Sequence, residues 1–128
     1  MENIKWLQKE AVLAMHARQL AEHGGGAGVR DEGLLESALQ RPISKTQYEN
    51  PDIADLAAAY AYGIARNHPF VDGNKRTALV SARAFLLYNG YQLNAKNEDK
   101  LHTFIALASG TLSEIDLAKW FRSRLVKV

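Results

Sequence analysis

The sequence of 128 residues contains no cysteine, only three prolines and no long hydrophobic run. The absence of cysteine excludes disulfide bonds and metal sites built on thiolates. No segment approaches the ~18 consecutive apolar residues that a membrane-spanning helix requires. The formal net charge is +2 and the cations are scattered along the chain, so electrostatic binding to nucleic acid is not indicated. We therefore expect a cytoplasmic protein without a membrane or nucleic-acid partner.

The overall composition is that of an ordinary globular protein. Hydrophobic residues make up 47% of the chain and charged residues 23%, and neither a repeat nor a low-complexity segment is visible. A chain of this length is large enough for one hydrophobic core but not for two. We predict a compact single domain over residues 1–128.

Apolar residues recur at helical spacing in six segments, which predicts an all-α bundle of about six helices. The first four predicted helices span residues 6–22, 31–40, 51–67 and 74–89, and the last two begin near residues 97 and 111. Only residues 91–96 and parts of the loops can hold short strands. The predicted buried stripes of the first and fifth helices are Leu7, Ala11, Ala14 and Met15, and Leu101, Phe104, Ile105 and Ala108.

Local signals set the predicted helix boundaries. Pro42 ends the second helix, and Asn50 caps the third, with Pro51 at its first position. A capping box of Thr111 and Glu114 opens the sixth helix. The glycine-rich residues 24–28 follow a helix rather than a strand and lack the lysine that ends a phosphate-binding loop, so we interpret them as a flexible loop.

The run from His68 to Thr77 carries most of the chemistry in the sequence. The chain enters a helix at Gly73, where unpaired backbone N–H groups at the positive end of the helix dipole can bind phosphate. Lys75 and Arg76 add positive charge at the same point. Cations are unfavourable at a helix N-terminus unless an anion is bound. This combination favours a phosphate site, although each residue alone has an ordinary structural explanation.

Two residues of the same run can take part in catalysis. Asp72 can hold Mg²⁺, which commonly takes one or two carboxylates together with the phosphates of the substrate. His68 carries an imidazole, the side chain most often used as a general base, and can accept a proton from an attacking hydroxyl. Phe70 lies between them in the sequence, and we expect its side chain to point into the core and fix the loop.

The segment from His68 to Arg76 resembles the signature of the Fic/Doc family, His-x-Phe-x-(Asp/Glu)-(Gly/Ala)-Asn-x-Arg. Residues 6–19, residues 30–39 and the helix after the motif also resemble the Doc branch, the death-on-curing toxins, so the likeness covers nearly the whole chain. It implies a six-helix fold with the motif loop, residues 68–76, between the third and fourth helices. Members of the family transfer part of a nucleoside triphosphate to a protein hydroxyl.

The resemblance implies a role for each residue of the motif. His68 would activate the hydroxyl and Asp72 would bind Mg²⁺. Gly73 and Asn74 would form the anion cradle, and Lys75 and Arg76 would hold the phosphates of ATP.

Two positions distinguish the reactions found in the family. Where the AMP-transferring members have glycine and a second arginine, this chain has Lys75 and Leu79, which favours the Doc-like transfer of a phosphoryl group to elongation factor Tu and so the inhibition of translation. Gly73, where alanine is common in the Doc branch, leaves AMP transfer open. A silent anion-binding module is a further alternative.

Further residues have weaker functional interpretations. The resemblance places Arg30 and Asp31 in a flap over the protein substrate, and Asp31 alternatively caps the second helix. Arg66 and Asn67 are next to His68 in the sequence and can orient it or contact the substrate. Arg83 can reach back toward the phosphates along its helix. We assign no chemistry to His16, His23 or His102. No segment resembles the inhibitory (Ser/Thr)-x-x-x-Glu-(Gly/Asn) motif of Fic proteins, which predicts restraint by an antitoxin acting in trans.

Overall fold

The structure, a computed structural model, describes residues 3–128 and confirms the all-α class. Within that range it contains six helices and one small antiparallel sheet. The helices are α1 (Lys9–His23), α2 (Glu32–Tyr48), α3 (Ile53–Asn67), α4 (Asn74–Tyr88), α5 (Asn97–Ser109) and α6 (Glu114–Arg122), and the strands are β1 (Tyr91–Leu93) and β2 (Leu125–Lys127). The predicted starts of α4 and α5, at Asn74 and Asn97, are confirmed.

Helix α3 lies at the centre of the molecule. Eleven of its 15 residues are buried, and six of those are alanines. Alanine and glycine allow neighbouring helices to approach closely, and a Cβ added at Gly63 would lie 3.1 Å from the Cα of Ala38 in α2. Helices α2, α4 and α6 pack around α3. The C-terminal end of this rigid helix leads directly into the motif loop, so the core fixes the position from which the loop begins.

The predicted cap of the third helix is wrong. The helix begins at Ile53, and Asp52 rather than Asn50 is its N-cap, forming a reciprocal capping box with Asp55. Arg122 of α6 also binds both aspartates, at 2.7 Å from Asp52 Oδ2 and 2.9 Å from Asp55 Oδ1. This arginine, acting first through its hydrogen bonds, lowers the pKa of Asp52 to about 2. A partner far along the chain therefore helps to decide where the helix begins.

The predicted end of the second helix is also wrong, because α2 continues through Pro42 to Tyr48. A proline inside a helix removes one backbone hydrogen bond. Tertiary contacts offset that loss: the Pro42 ring is buried, and Arg41 and Lys45 both pair with Glu114 of α6. Glu114 is thus the first residue of α6 and an ion-pair partner of α2, while the cap of α6 is Ser113 instead of the predicted Thr111.

Two of the predicted buried stripes are wrong in part. Helix α1 buries Val12 and His16, whereas Ala14 is exposed. Helix α5 buries Phe104 and Leu107 but leaves Leu101 and Ile105 exposed, since it packs on α3 and α4 through one narrow face. Both errors arise from apolar residues that periodicity assigned to the core but that face solvent.

The remaining elements close the fold at the C-terminus. Strands β1 and β2 pair antiparallel, with Gln92 opposite Val126. Strand β1 lies within the region 91–96 where the sequence allowed a strand, whereas β2, after the last helix, was not predicted. None of the helices described here has the length and apolarity needed to cross a membrane.

Candidate functional site

His68 follows the last residue of α3 and adopts a left-handed backbone conformation, with φ 49° and ψ 56°. Few residues other than glycine adopt this conformation without support from their surroundings. Arg30 supplies that support, since its Nε donates to the His68 carbonyl at 2.7 Å and its Nη2 donates to the Asn67 carbonyl at 2.9 Å. The Asn67 side chain in turn donates to the Leu34 carbonyl of α2 at 3.0 Å. Arg30 and Asn67 thus stabilise the backbone conformation of His68.

The segment before α2 runs alongside the motif loop. Val29 and Phe70 form an isolated antiparallel β-bridge, and the backbone N–H groups of Arg30 and Asp31 both donate to the Pro69 carbonyl. Asp31 is the N-cap of α2, as predicted, and accepts from the N–H of Leu34 at 3.0 Å. The segment therefore stabilises one side of the loop.

The side chain of Asn74, the first residue of α4, is bonded to the backbone of Phe70 in the motif loop. Its Oδ1 accepts from the N–H of Phe70 at 2.9 Å, and its Nδ2 donates to the carbonyl of Phe70 at 3.0 Å. Phe70 is fully buried, as predicted. Because the Asn74 amide is occupied by these bonds, the group that it can offer to an anion is its backbone N–H.

The Asp72 carboxylate lies between the motif and the glycine-rich loop. Its Oδ1 accepts from the N–H of Gly73 at 2.8 Å, and its Oδ2 accepts a longer bond from the N–H of Gly26 at 3.4 Å. A Cβ added at Gly25 would lie 2.8 Å from Oδ2. Sequence reasoning missed Gly25 and Gly26, although the glycine cluster was visible, because nothing local showed which part of the chain would approach it.

The N-terminus of α4 is electropositive. Gly73 precedes it in a left-handed conformation, with φ 77°. Within residues 3–128, the first three N–H groups of the helix, from Asn74 to Arg76, have no protein acceptor, and neither Lys75 nor Arg76 forms an ion pair. These groups face a cleft of about 400 Å³ lined by His68, Val71, Asp72, Gly73, Asn74, Lys75, Arg76 and Ala108. The cleft thus combines free N–H groups, two cations and one carboxylate.

This cleft contains every residue of the predicted site that comes from the motif, but none of the five further candidates, Arg30, Asp31, Arg66, Asn67 and Arg83. The Arg66 guanidinium lies 5.8 Å from the centre of the Tyr62 ring and against Gly110. Arg83 is exposed further along α4, where its charge adds to the desolvation that lowers the pKa of Lys100. Neither arginine lines the cleft.

His16 of α1 was assigned no chemistry from the sequence, yet it contacts the motif loop directly. Its ring stacks on Phe70 with centroids 3.8 Å apart, and its Nε2 lies 2.8 Å from the Asp72 carbonyl oxygen. The helical periodicity gave no signal for this contact, because the predicted stripe of α1 placed other residues against the core.

The donor set of the cleft fits Mg²⁺ only in combination with phosphate. Among the residues that the structure describes, no group of three histidine or acidic side chains could hold a metal ion. Among the residues 3–128 that line the cleft, Asp72 is the one carboxylate, and Mg²⁺ commonly completes such a site with phosphate oxygens and water. A phosphate at the N-terminus of α4 would lie beside this carboxylate.

Comparison with known proteins shows the family of the chain. Residues 6–86 match the model of the Fic/DOC family. The chain is 32% identical over 120 residues to "Protein kinase doc" of Escherichia phage P1, covering 93% of this chain and 94% of the relative. It is 47% identical over 93 residues to "Toxin Doc" of Mycolicibacterium smegmatis, covering 71% of this chain and 69% of the relative. The chain therefore belongs to the Fic/Doc family, and its relatives support the Doc branch.

Proposed function

We propose that this protein is a toxin that transfers the γ-phosphoryl group of ATP to a serine or threonine hydroxyl of another protein. The observation that carries the proposal is the cleft at the start of α4, which brings His68, Asp72 and the Lys75–Arg76 pair to one place. The names of the two relatives, a protein kinase and a toxin, support the same interpretation.

His68 acts as the general base in this proposal. The attacking hydroxyl oxygen forms a bond to the γ-phosphorus, the bond from that phosphorus to the bridging oxygen breaks, and ADP leaves. The hydroxyl proton passes to an imidazole nitrogen of His68. The side chain is exposed at the mouth of the cleft, while its backbone is fixed by Arg30. A base that is accessible but held in place suits a large protein substrate.

The remaining residues of the motif bind and neutralise the phosphates. Lys75, Arg76 and the free N–H groups of α4 contact phosphate oxygens, since phosphoryl transfer depends mainly on positioning and charge stabilisation. Asp72 and the phosphates would hold Mg²⁺, which neutralises the charge that develops on the transferred group. Gly73 leaves room for the phosphates to approach the backbone.

AMP transfer is the second candidate reaction. It requires the hydroxyl to attack the α-phosphorus, with pyrophosphate as the leaving group. Lys75 and Leu79 disfavour it, because the first crowds the phosphate path and the second cannot bind a phosphate at the position where AMP-transferring members have an arginine. A silent anion-binding module is a third candidate, and it predicts nucleotide binding without turnover.

The proposal also includes partners and a location. We expect elongation factor Tu to be the protein substrate in the cytoplasm, with inhibition of translation as the result. The sequence contains no inhibitory segment of the Fic type, so an antitoxin acting in trans would provide the restraint, as expected for a toxin of a toxin–antitoxin pair.

Labelled ATP tests the reaction directly. Elongation factor Tu is incubated with the protein, Mg²⁺ and ATP labelled at either the α- or the γ-phosphorus. Label transferred only from the γ-position, and lost with His68→Ala but not with the matched His102→Ala, is the expected result. Label transferred from the α-position would replace the proposal with AMP transfer. Binding of ATP without any transfer to elongation factor Tu would contradict the proposed substrate.

A further inference from the structure

His16 is one of only two buried residues of α1, with 5% of its surface exposed. The ring is nearly parallel to that of Phe70, at an interplanar angle of 9°. A Cβ added at Gly73 would lie 3.6 Å from His16 Cδ2 and 3.7 Å from Nε2. The imidazole therefore lies against three parts of the motif loop: the Phe70 ring, the Asp72 carbonyl and Gly73.

The polarity of the contact with Asp72 follows from the chemistry of the two groups. A carbonyl oxygen only accepts hydrogen bonds, so His16 Nε2 must carry a hydrogen and donate it across the 2.8 Å contact. A stacked phenylalanine in the same place would fill the volume but could not make this bond. The hydrogen bond is thus a feature that simple core packing does not require.

The bond fixes the orientation of one particular peptide unit. The Asp72 carbonyl and the Gly73 N–H belong to the same planar peptide group. His16 holds the carbonyl end, and the N–H end donates to Asp72 Oδ1 at 2.8 Å. Rotation of this unit would move the Asp72 carboxylate and would also change the left-handed conformation of Gly73 that starts α4.

We propose that His16 is a positioning residue of the site. Its hydrogen bond to the Asp72 carbonyl fixes the orientation of the Asp72 carboxylate toward the Mg²⁺-bound phosphate and the orientation of the backbone N–H groups at the start of α4. This role rests on the proposed function of the cleft. His16 touches neither nucleotide nor protein substrate and acts through the Asp72–Gly73 peptide alone.

Two substitutions separate the hydrogen bond from the packing. His16→Phe keeps an aromatic ring against Phe70 but removes the donor. His16→Gln loses the ring but can place a side-chain N–H near the position of Nε2. Exposed His102 of α5, changed to Gln, serves as the matched control. If the Phe variant does not fold, His16→Met provides an apolar side chain without a donor.

The first readout is native-state exchange of the Gly73 amide hydrogen, which needs neither nucleotide nor activity. We expect the Phe or Met variant to exchange this hydrogen roughly 10-fold faster than wild type, the scale of one lost hydrogen bond. We expect His16→Gln to restore most of the protection. Equal protection in all variants, or equal loss in the Gln and Phe variants, would overturn the proposal.

The second readout is the affinity for ATP at varied Mg²⁺ concentration, measured by titration calorimetry. We expect the variants without a donor to bind Mg²⁺·ATP about 10-fold more weakly, with partial rescue in His16→Gln. Unchanged affinity in those variants would overturn the role of His16. If the wild type itself binds no Mg²⁺·ATP, the proposed function fails, and the Gly73 exchange still decides whether His16 positions the peptide.

Discussion

Asn74 pairs with Phe70 through two hydrogen bonds, because its side-chain amide accepts from the backbone N–H of Phe70 and donates to the carbonyl of the same residue. The first residue of α4 is therefore linked to the buried centre of the motif loop. The shape of the cleft depends on this link, because the two hydrogen bonds fix Phe70, which lies between His68 and Asp72 in the chain.

We predict that Asn74→Ala destabilises the fold. The substitution leaves a buried N–H and a buried carbonyl of Phe70 without their partners, which costs about 2–4 kcal/mol in the free energy of unfolding. Urea unfolding followed by circular dichroism measures the change. Exposed Asn94 provides a control, and an Asn74→Ala variant as stable as Asn94→Ala would contradict the account.

Arg30→Ala should impair transfer far more than it impairs folding. The exposed guanidinium holds the carbonyls of Asn67 and His68, so its loss frees His68 to leave the left-handed conformation. We expect kcat to fall roughly 10- to 100-fold, because misplacement of a catalytic group by about 1 Å has effects of this size. Arg30→Lys should not restore the rate, since a lysine cannot reproduce the two-pronged contact.

Steady-state kinetics with the protein substrate and a thermal melt of each variant separate the two effects. Exposed Arg18, which pairs only with Glu22 on its own helix in the described structure, is the matched control. An Arg30→Ala variant that transfers phosphate at the wild-type rate would show that His68 does not need this support.

Gly25→Ala should weaken the binding of Mg²⁺ at the site. The added Cβ would lie 2.8 Å from Asp72 Oδ2, so the carboxylate would have to move. Gly28 is a matched control, because its φ of +107° is also unfavourable for alanine but its Cβ would meet no atom within 4 Å. We expect Gly25→Ala to require more Mg²⁺ for half-maximal ATP binding than Gly28→Ala does. Equal requirements in the two variants would count against Asp72 as the metal-binding residue.

The Asp52–Arg122 pair predicts a change of stability with pH. Arg122 lowers the pKa of Asp52 to about 2, so the stabilisation is present above the unfolded-state pKa of about 4 and is lost as the pH falls toward 2. Both side chains are almost half exposed, and solvent screening therefore keeps the contribution to about 1 kcal/mol or less.

Asp52→Asn provides the measurement, because asparagine still caps a helix but carries no charge. The difference in unfolding free energy between wild type and Asp52→Asn should be largest near pH 7 and should shrink as the pH falls from 4 to 2. A difference that stays constant over this range would exclude the ion pair as its origin.

Part of this architecture could be predicted from the sequence because it depends on local signals. The starts of α4 and α5, the cap at Asp31 and the burial of Phe70 follow from turn residues, capping side chains and the pattern of the motif. The motif residues His68, Asp72 and Arg76 also line one cleft, since they are close in the chain.

The remainder depends on contacts between distant segments, which no local pattern encodes. Arg122 lies 70 positions from Asp52, and this pairing helps to fix a helix start that local capping rules placed earlier. Pro42 remains helical because its ring is buried and the following turn binds α6. Likewise, His16 is 56 positions from Asp72, so its contact with the motif became visible only in the folded chain.

The intact mass of elongation factor Tu after incubation with the protein, Mg²⁺ and ATP tests the proposed phosphoryl transfer by His68 most directly. We expect a gain of one phosphoryl group that disappears with His68→Ala and persists with His102→Ala. A gain of one adenylyl group, or an unchanged mass under conditions in which the protein binds ATP, would contradict the proposed transfer.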